Sequence, residues 1–455
     1  YPGTRGSKDV ISYIIKQFKS YGVAPGHRGS YVQPFDITTG IKLNDGNYMV
    51  VNGDTLVIRE DYIPLSFSSS SFFSGSAVFA GYGFNSEQKE LEWNDYKNLD
   101  VNEKWVVVMR HSPDRHNQHS IYREHSSLHK KMMVARDLGA AGIIFISQIE
   151  DEALNPLVYT RGYKNMGIPA IHISNETADK ILKPYGWSQQ SIQETMNRSL
   201  SSVTFDMDGV TFSANVSLSP IKTRAANVIG LIQSGNRRYR DEHVVIGAHF
   251  DHLGEGGAES GSRKPDERIV HPGADDNASG TSGLLELAQK LSGQKSRLKR
   301  SVLLIGFDAE EKGLLGAKHF VQNPTVDLNK IVTMINMDMI GRMEDSSATV
   351  GGVGTSPAFQ PLLDSLKIGR AFNLVMSEPG FGPSDHAAFY AEDIPVLFFF
   401  TGVHNDYHTP DDTWKQINLK GTKDLLDLIY DAIYYLLRAE NRPVYSEAGP
   451  KERRL

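Results

Sequence analysis

The chain has 455 residues, 40% apolar and 22% charged, with a formal net charge of -6 and a pI near 6.2. That length exceeds what one hydrophobic core usually supports and predicts two or three domains. The acidic balance argues against a nucleic-acid binder, and no apolar run reaches the 18 or so residues of a membrane span. The absence of cysteine excludes disulfides and thiolate chemistry, leaving His and carboxylates as the strong metal ligands.

Residues 7–21 place Val10, Ile14, Ile15 and Phe18 on one helical face, with Ser7 or Asp9 able to cap the start and Gly22 at the end. Residues 31–37 alternate like a strand. From Gly46 the texture turns to short apolar runs punctuated by glycine. Here 55–58, 75–83, 104–109, 142–146 and 168–173 read as strands, and 131–138 as a short helix. Strand–helix alternation restarts at Asn227, with strands at 244–248, 301–307, 331–337 and 394–400 and a last helix over 419–437. This predicts an α/β fold: a mostly parallel mixed sheet flanked by helices, with an inserted β-rich domain. The expected division is 1–47 with 222–440, an insertion over 48–221, and a loose polar tail over 441–455. The start at Tyr1, without Met or signal peptide, reads as a mature or trimmed form.

Each buried strand of the α/β region hands over a metal-grade side chain where it ends. The first gives His249, with Asp275 in the loop that follows. The second gives Glu310 and Glu311, the third Asp338, and the fourth a loop with His404, Asp406 and His408. Parallel strands share one carboxyl edge, so these distant groups can converge. His249, Asp275, Glu311, Asp338 and His408 suffice for two metals if one carboxylate bridges. Glu310 is then free to act as general base and acid, and Asp251 can accept the free N–H of His249. Singly, each feature has a plainer reading. An Asp pair before a helix serves as an N-cap, and a Glu pair at a helix start complements the macrodipole. Their joint placement at strand ends favours the metal site. His111, His116, His119, His125 and His129 lie in a charged stretch that no strand fixes, and read as a solvated, mobile loop. Asn175, Asn197 and Asn215 head glycosylation tripeptides, a pattern common by chance. Phe398, Phe399 and Phe400 read as core packing.

These residues resemble the M28 family of zinc aminopeptidases. The matching segments are His249-Phe-Asp251, Gly273-Ala-Asp275-Asp276-Asn-Ala-Ser-Gly280, Glu310-Glu311, Met337-Asp338-Met339, Ser384-Asp385-His386 and His408-Thr-Pro-Asp-Asp-Thr413. The resemblance implies two zinc ions, His249, Asp275 and Asp338 on one and Asp275, Glu311 and His408 on the other, with Asp275 bridging. It implies Glu310 as base, Asp251 as orienting group, and a cis peptide between Asp275 and Asp276. The insertion is similar to a protease-associated (PA) domain, carried by Gly81-Tyr-Gly83, Trp105-Val-Val-Val108, Ala135 to Ile143 and Ile168-Pro-Ala170. Such domains border the cleft and filter substrates. Phe381 stands where some family members carry an oxyanion-steadying tyrosine, so Tyr407 or zinc alone would take that role.

The expectation is a di-zinc exopeptidase that removes amino-terminal residues from peptides with a free N-terminus, by attack of metal-bound water with Glu310 moving the proton. Family habit implies export to a periplasm or the exterior. The alternatives are a carboxypeptidase or a glutaminyl-cyclase-like enzyme on the same fold, or a metal-free receptor-like protein, which would need missing ligands.

Overall fold

The structure is a computed structural model, and it describes residues 1–88, 91–117, 119–151, 153–159, 165–257 and 260–451. The chain divides into two units, Tyr1–Ile37 with Thr223–Leu455, and Thr38–Lys222. Both boundaries fall inside long strands, Val32–Leu43 and Leu218–Ile232, so no change of composition marks them.

The first unit opens with helix α1 (Arg5–Ser20). Its cap is Thr4, ahead of the expected Ser7 or Asp9, and the Thr4 hydroxyl accepts the Ser7 N–H at 3.3 Å. The sheet is built from β1 (Leu218–Ile232), β2 (His243–His249), β3 (Ser301–Phe307), β4 (Ile331–Met337), β5 (Ser347–Gly351), β6 (Asn373–Met376) and β7 (Val396–Phe400). Their order is β1-β3-β2-β4-β7-β5-β6, with Ala24–Pro25 and Val32–Leu43 also pairing to β1. The four central strands, β3, β2, β4 and β7, are mutually parallel. β1 and β5 pair antiparallel at either side, which makes the sheet mixed.

Every residue of β2, β3 and β4 is buried. That is why these strands read as continuous apolar runs: both faces are covered. Val244, Ile246 and Ala248 pack with α1 and with two further helices, α2 (Gly280–Ser292) and α5 (Leu419–Arg438). Val245 packs with the opposite layer, α3 (Leu315–Gln322) and α4 (His386–Tyr390). The period of two along the strand thus becomes a three-layer core. Phe399 belongs to the first layer and Phe398 stacks on His386 at 4.3 Å, so these two are core packing, while Phe400 is half-buried. No helix among the described residues is long and apolar enough to cross a membrane.

The described part of the tail, 441–451, is docked, against expectation; the rest lies outside the described residues. The Tyr390 hydroxyl donates to Gly449 O at 2.7 Å and accepts from Ala448 N at 2.9 Å, and Ser446 N donates to Thr355 O. Polar composition misled because these backbone bonds are joined by the Arg442 guanidinium, which donates to Asn329 O and Ile331 O, and by Tyr445 packed on Tyr390.

The second unit is an eight-stranded sheet in the order Asp54–Thr55, Tyr48–Val51, Thr204–Asn215, Phe72–Ala80, Trp105–Met109, Gly142–Ile146, Ala170–Ile173, Tyr62–Pro64. Helices Leu128–Asp137, Asn175–Leu182 and Gln189–Ser199 accompany it. Of the expected strand at 55–58 only Thr55 is in a strand. The histidine stretch is only partly solvated. His116 and His119 are exposed, whereas His125 is buried and His111 Nε2 lies 2.9 Å from Asp151 Oδ2. The side chains of Asn175, Asn197 and Asn215 are all hydrogen-bonded within the unit.

Candidate metal centre

The carboxyl ends of β2, β3, β4 and β7 lie along one edge, and the residues just past them meet. His249 closes β2. Its Nε2 lies 3.3 Å from Asp276 Oδ1 and 3.3 Å from Asp338 Oδ1. His408, in the loop after β7, has Nε2 3.1 Å from Asp276 Oδ2 and 3.4 Å from Glu311 Oε2. The two oxygens of Asp276 therefore face two different triads. Glu310 stands at the first, with Oε2 4.0 Å from His249 Nε2.

Asp275 is not in this cluster. Its side chain is fully buried, with Oδ1 accepting the Gly341 N–H at 2.6 Å and Oδ2 facing His404 Nε2 at 3.4 Å. The peptide found cis is Asp276–Asn277, not the bond expected between Asp275 and Asp276. The residue facing both triads is thus Asp276, one position beyond the expected Asp275. The doublet sits in an irregular turn, Ala274–Ser279, with non-helical dihedrals at Asp276 and Asn277, where neither strand nor helix period predicts direction. Asp406 is also elsewhere, paired with Arg342 at 2.6 Å.

The turn is held by groups that sequence patterning did not single out. Asp412 accepts the backbone N–H of Asp275 at 3.0 Å and of Asp276 at 3.1 Å. Asn277 Oδ1 accepts from Gly280 N and Met339 N, while its amide donates to Met337 O, tying the turn to the end of β4. Gly273 has φ +60°, and a Cβ there would lie 2.4 Å from Asp276 O and 2.7 Å from the His252 ring, so no side chain fits. Ala309, Met339 and His408 also have positive φ, at 60°, 52° and 56°. Left-handed backbone at non-glycine residues is costly and concentrates at functional sites.

The supporting bonds fix ring orientation. His249 Nδ1 is 3.1 Å from the backbone carbonyl of Asp251, and His408 Nδ1 is 3.0 Å from Gly261 O. Each pair leaves Nε2 facing the cluster. The Asp251 carboxylate was expected on the His249 ring. Instead its Oδ1 accepts the Glu310 N–H at 2.8 Å and stands 3.8 Å from His249 Nδ1. Its nearer service is to place Glu310. His252, adjacent in sequence but unassigned by pattern, has Nδ1 2.8 Å from Glu311 Oε1.

Burial pushes the Glu310 carboxyl well above the usual carboxylate range. Asp385, Asp338 and Glu311 add to that rise, and His249 opposes it. Asp276 goes the other way. Burial opposes its charge, but hydrogen bonds from His249 and His408 hold it well below the usual range. His408 is raised to about 10, burial being outweighed by Asp276 and Glu311. Two carboxylates of one cluster are thus driven apart, an arrangement typical of acid–base sites.

The donor set fits divalent cations. Ligands about 2.0–2.2 Å from a tetrahedral ion stand about 3.3–3.6 Å apart, and the four separations within the two triads, 3.1–3.4 Å, come close to that. Asp338 Oδ1 is buried with no hydrogen bond, a cost that a cation would remove. Asp251 and His252 also border a cavity of about 1020 Å³ shared with Tyr1, Phe250, His271 and Lys312.

Residues 227–433 match the family model for peptidase family M28, and residues 72–181 match that of the PA domain. That stretch of the first unit is thus similar to peptidase family M28. Among curated proteins, the aminopeptidase YwaD of Bacillus subtilis is 25% identical over 335 residues, covering 71% of this chain and 63% of the relative. The uncharacterized protein YfbL of Escherichia coli is 27% identical, covering 42% of this chain and 66% of the relative. The chain spans less than two thirds of the length of these relatives. Among solved structures, the aminopeptidase from Aneurinibacillus sp. strain AM-1 superposes with TM-score 0.55 at 21% identity, covering 99% of this chain and 91% of the other. BSAP, a zinc aminopeptidase from Bacillus subtilis, gives 0.52 at 20% identity, covering 96% and 91%. These structural likenesses show the fold alone: a mixed α/β domain with an inserted β-rich domain.

Proposed function

We propose that the chain is a binuclear zinc aminopeptidase. The observation that carries this reading is Asp276, whose two oxygens each face the imidazole Nε2 of a different triad. His249, Asp276 and Asp338 would hold one ion, and Asp276, Glu311 and His408 the other. The names of the matched relatives, aminopeptidase and zinc aminopeptidase, support the same reaction and metal.

When bound, the two cations supply Lewis acidity at the scissile carbonyl and lower the pKa of the attacking water. Glu310, oriented through its own N–H to Asp251, takes the proton from that water and passes it to the leaving amine. Tyr407 stacks on His408 at 3.8 Å. Burial and the nearby Asp276, Glu311, Asp338 and Glu310 carboxylates push its hydroxyl pKa up, so it stays a donor at neutral pH. It is the group we assign to the developing oxyanion, since Phe381 has no hydroxyl and is half-buried against the core cluster that includes α4. Substrates would be peptides with a free amino terminus.

The test is hydrolysis of aminoacyl anilides and of their N-acetylated forms, with zinc content measured alongside. Cleavage of the free forms only, lost on chelation and restored by zinc, is the expected result. Equal cleavage of blocked substrates, or full activity without metal, would overturn the reading.

A further inference from the structure

We infer that His252 is a positioning residue that keeps Glu311 a one-oxygen ligand of the second cation. This rests on the binuclear reading above and goes beyond it. His252, Asp276 and Glu311 converge closely enough to be taken for a ligand triad themselves. The distances argue otherwise. His252 Nδ1 lies 2.8 Å from Glu311 Oε1, a hydrogen-bond separation and too short for two ligands of one tetrahedral ion. From Asp276 Oδ2 it lies 3.8 Å away, farther than His408 Nε2 at 3.1 Å.

Glu311 is divided between two rings. Oε1 takes the His252 N–H, and Oε2 faces His408 Nε2 at 3.4 Å. A hydrogen bond to Oε1 competes with metal binding at that oxygen and favours ligation through Oε2. His252 is fixed for this task. It is 8% exposed, packs edge-on against His408 at 5.7 Å, and lies under Gly273, where a Cβ would meet its ring at 2.7 Å. With a cation bound there, a one-oxygen Glu311 would leave a coordination position that a two-oxygen Glu311 would fill. The Glu310 chemistry needs such a vacancy for water or carbonyl oxygen.

Wild type, H252A, H252L and H252N are each titrated with Co²⁺ while visible absorption is recorded. Leu keeps the packing without a donor, and the Asn amide can restore the donor near Nδ1. In H252A and H252L we expect the second equivalent to bind about 10–100-fold more weakly. We also expect the visible bands to weaken as Glu311 becomes bidentate and the coordination number rises. H252N restores both. Wild-type affinity and spectrum in H252A and H252L overturn the proposal, as does failure of H252N to restore them. Loss of a whole equivalent at saturating Co²⁺ in every variant would make His252 itself a ligand, and also overturns it. A wild-type chain that takes up no metal overturns the binuclear reading and this proposal with it.

Discussion

The neighbours Asp275 and Asp276 allow a sharp test, because the fold gives two like residues unlike tasks. Asp276→Asn removes the negative charge shared by both triads and one of the two oxygens that face them. Loss of an outer partner alone weakens metal binding about 10–100-fold, so about 100-fold is a conservative figure here. With free zinc at ten times the wild-type Kd, occupancy of each site falls from about 0.9 to about 0.1, or from about 1.8 to about 0.2 ions per chain. Asp275→Asn keeps Oδ1 as acceptor for the Gly341 N–H, at 2.6 Å in the wild type. It exchanges a charged acceptor for a neutral one, costing about 1 kcal/mol and about 2–4 °C in Tm for a domain of this size. Its zinc content should stay near wild type. Metal analysis after equilibrium dialysis, with thermal melts of the same samples, separates the two. Retained zinc in Asp276→Asn together with lost zinc in Asp275→Asn would refute the assignment of the bridge.

Further expectations follow from the same geometry. Glu310→Gln should lower kcat about 10²–10⁴-fold while zinc content is unchanged, since it takes no part in either triad; steady-state kinetics with metal analysis checks this. Asp412→Ala strips the acceptor from the Asp275 and Asp276 N–H groups, so about 1–3 kcal/mol of stability should be lost for each buried donor left unpaired, read as a fall in the urea midpoint. Chelation should lower Tm as well as abolish activity, because zinc at 100 times its Kd stabilises by about 2.7 kcal/mol per site; a melt unchanged by chelation would count against the centre. In the PA-containing unit, burial lowers His172 from 6.5 to about 3, with Arg110 adding to the drop. The unfolded state then binds more protons between those pH values, so stability is full above pH 6.5 and falls on acidification, by roughly 4 kcal/mol at pH 3. Fluorescence of Trp93, Trp105 and Trp187, which all lie in this unit, reports that unfolding, and His172→Gln should flatten the slope.

The sequence by itself determined the architecture and the identity of most groups at the site. Runs such as Val244–Ala248 and Ser301–Phe307 are apolar because both faces of a parallel strand are covered, and that necessity is visible without coordinates. It also follows from parallel strands that His249, Glu310, Glu311, Asp338 and His408 share one edge. Only the tertiary structure decided between Asp275 and Asp276. Their turn has no period, and its direction is set by Asp412 and Met339, which reach it from far along the chain. The same holds for His252 beside Glu311, for the Asp251 carboxylate on the Glu310 N–H, and for the docked tail. Local pattern specifies where a backbone has regular geometry. Where it has none, the aim of a side chain is fixed by contacts distant in sequence, which no stretch of residues records alone.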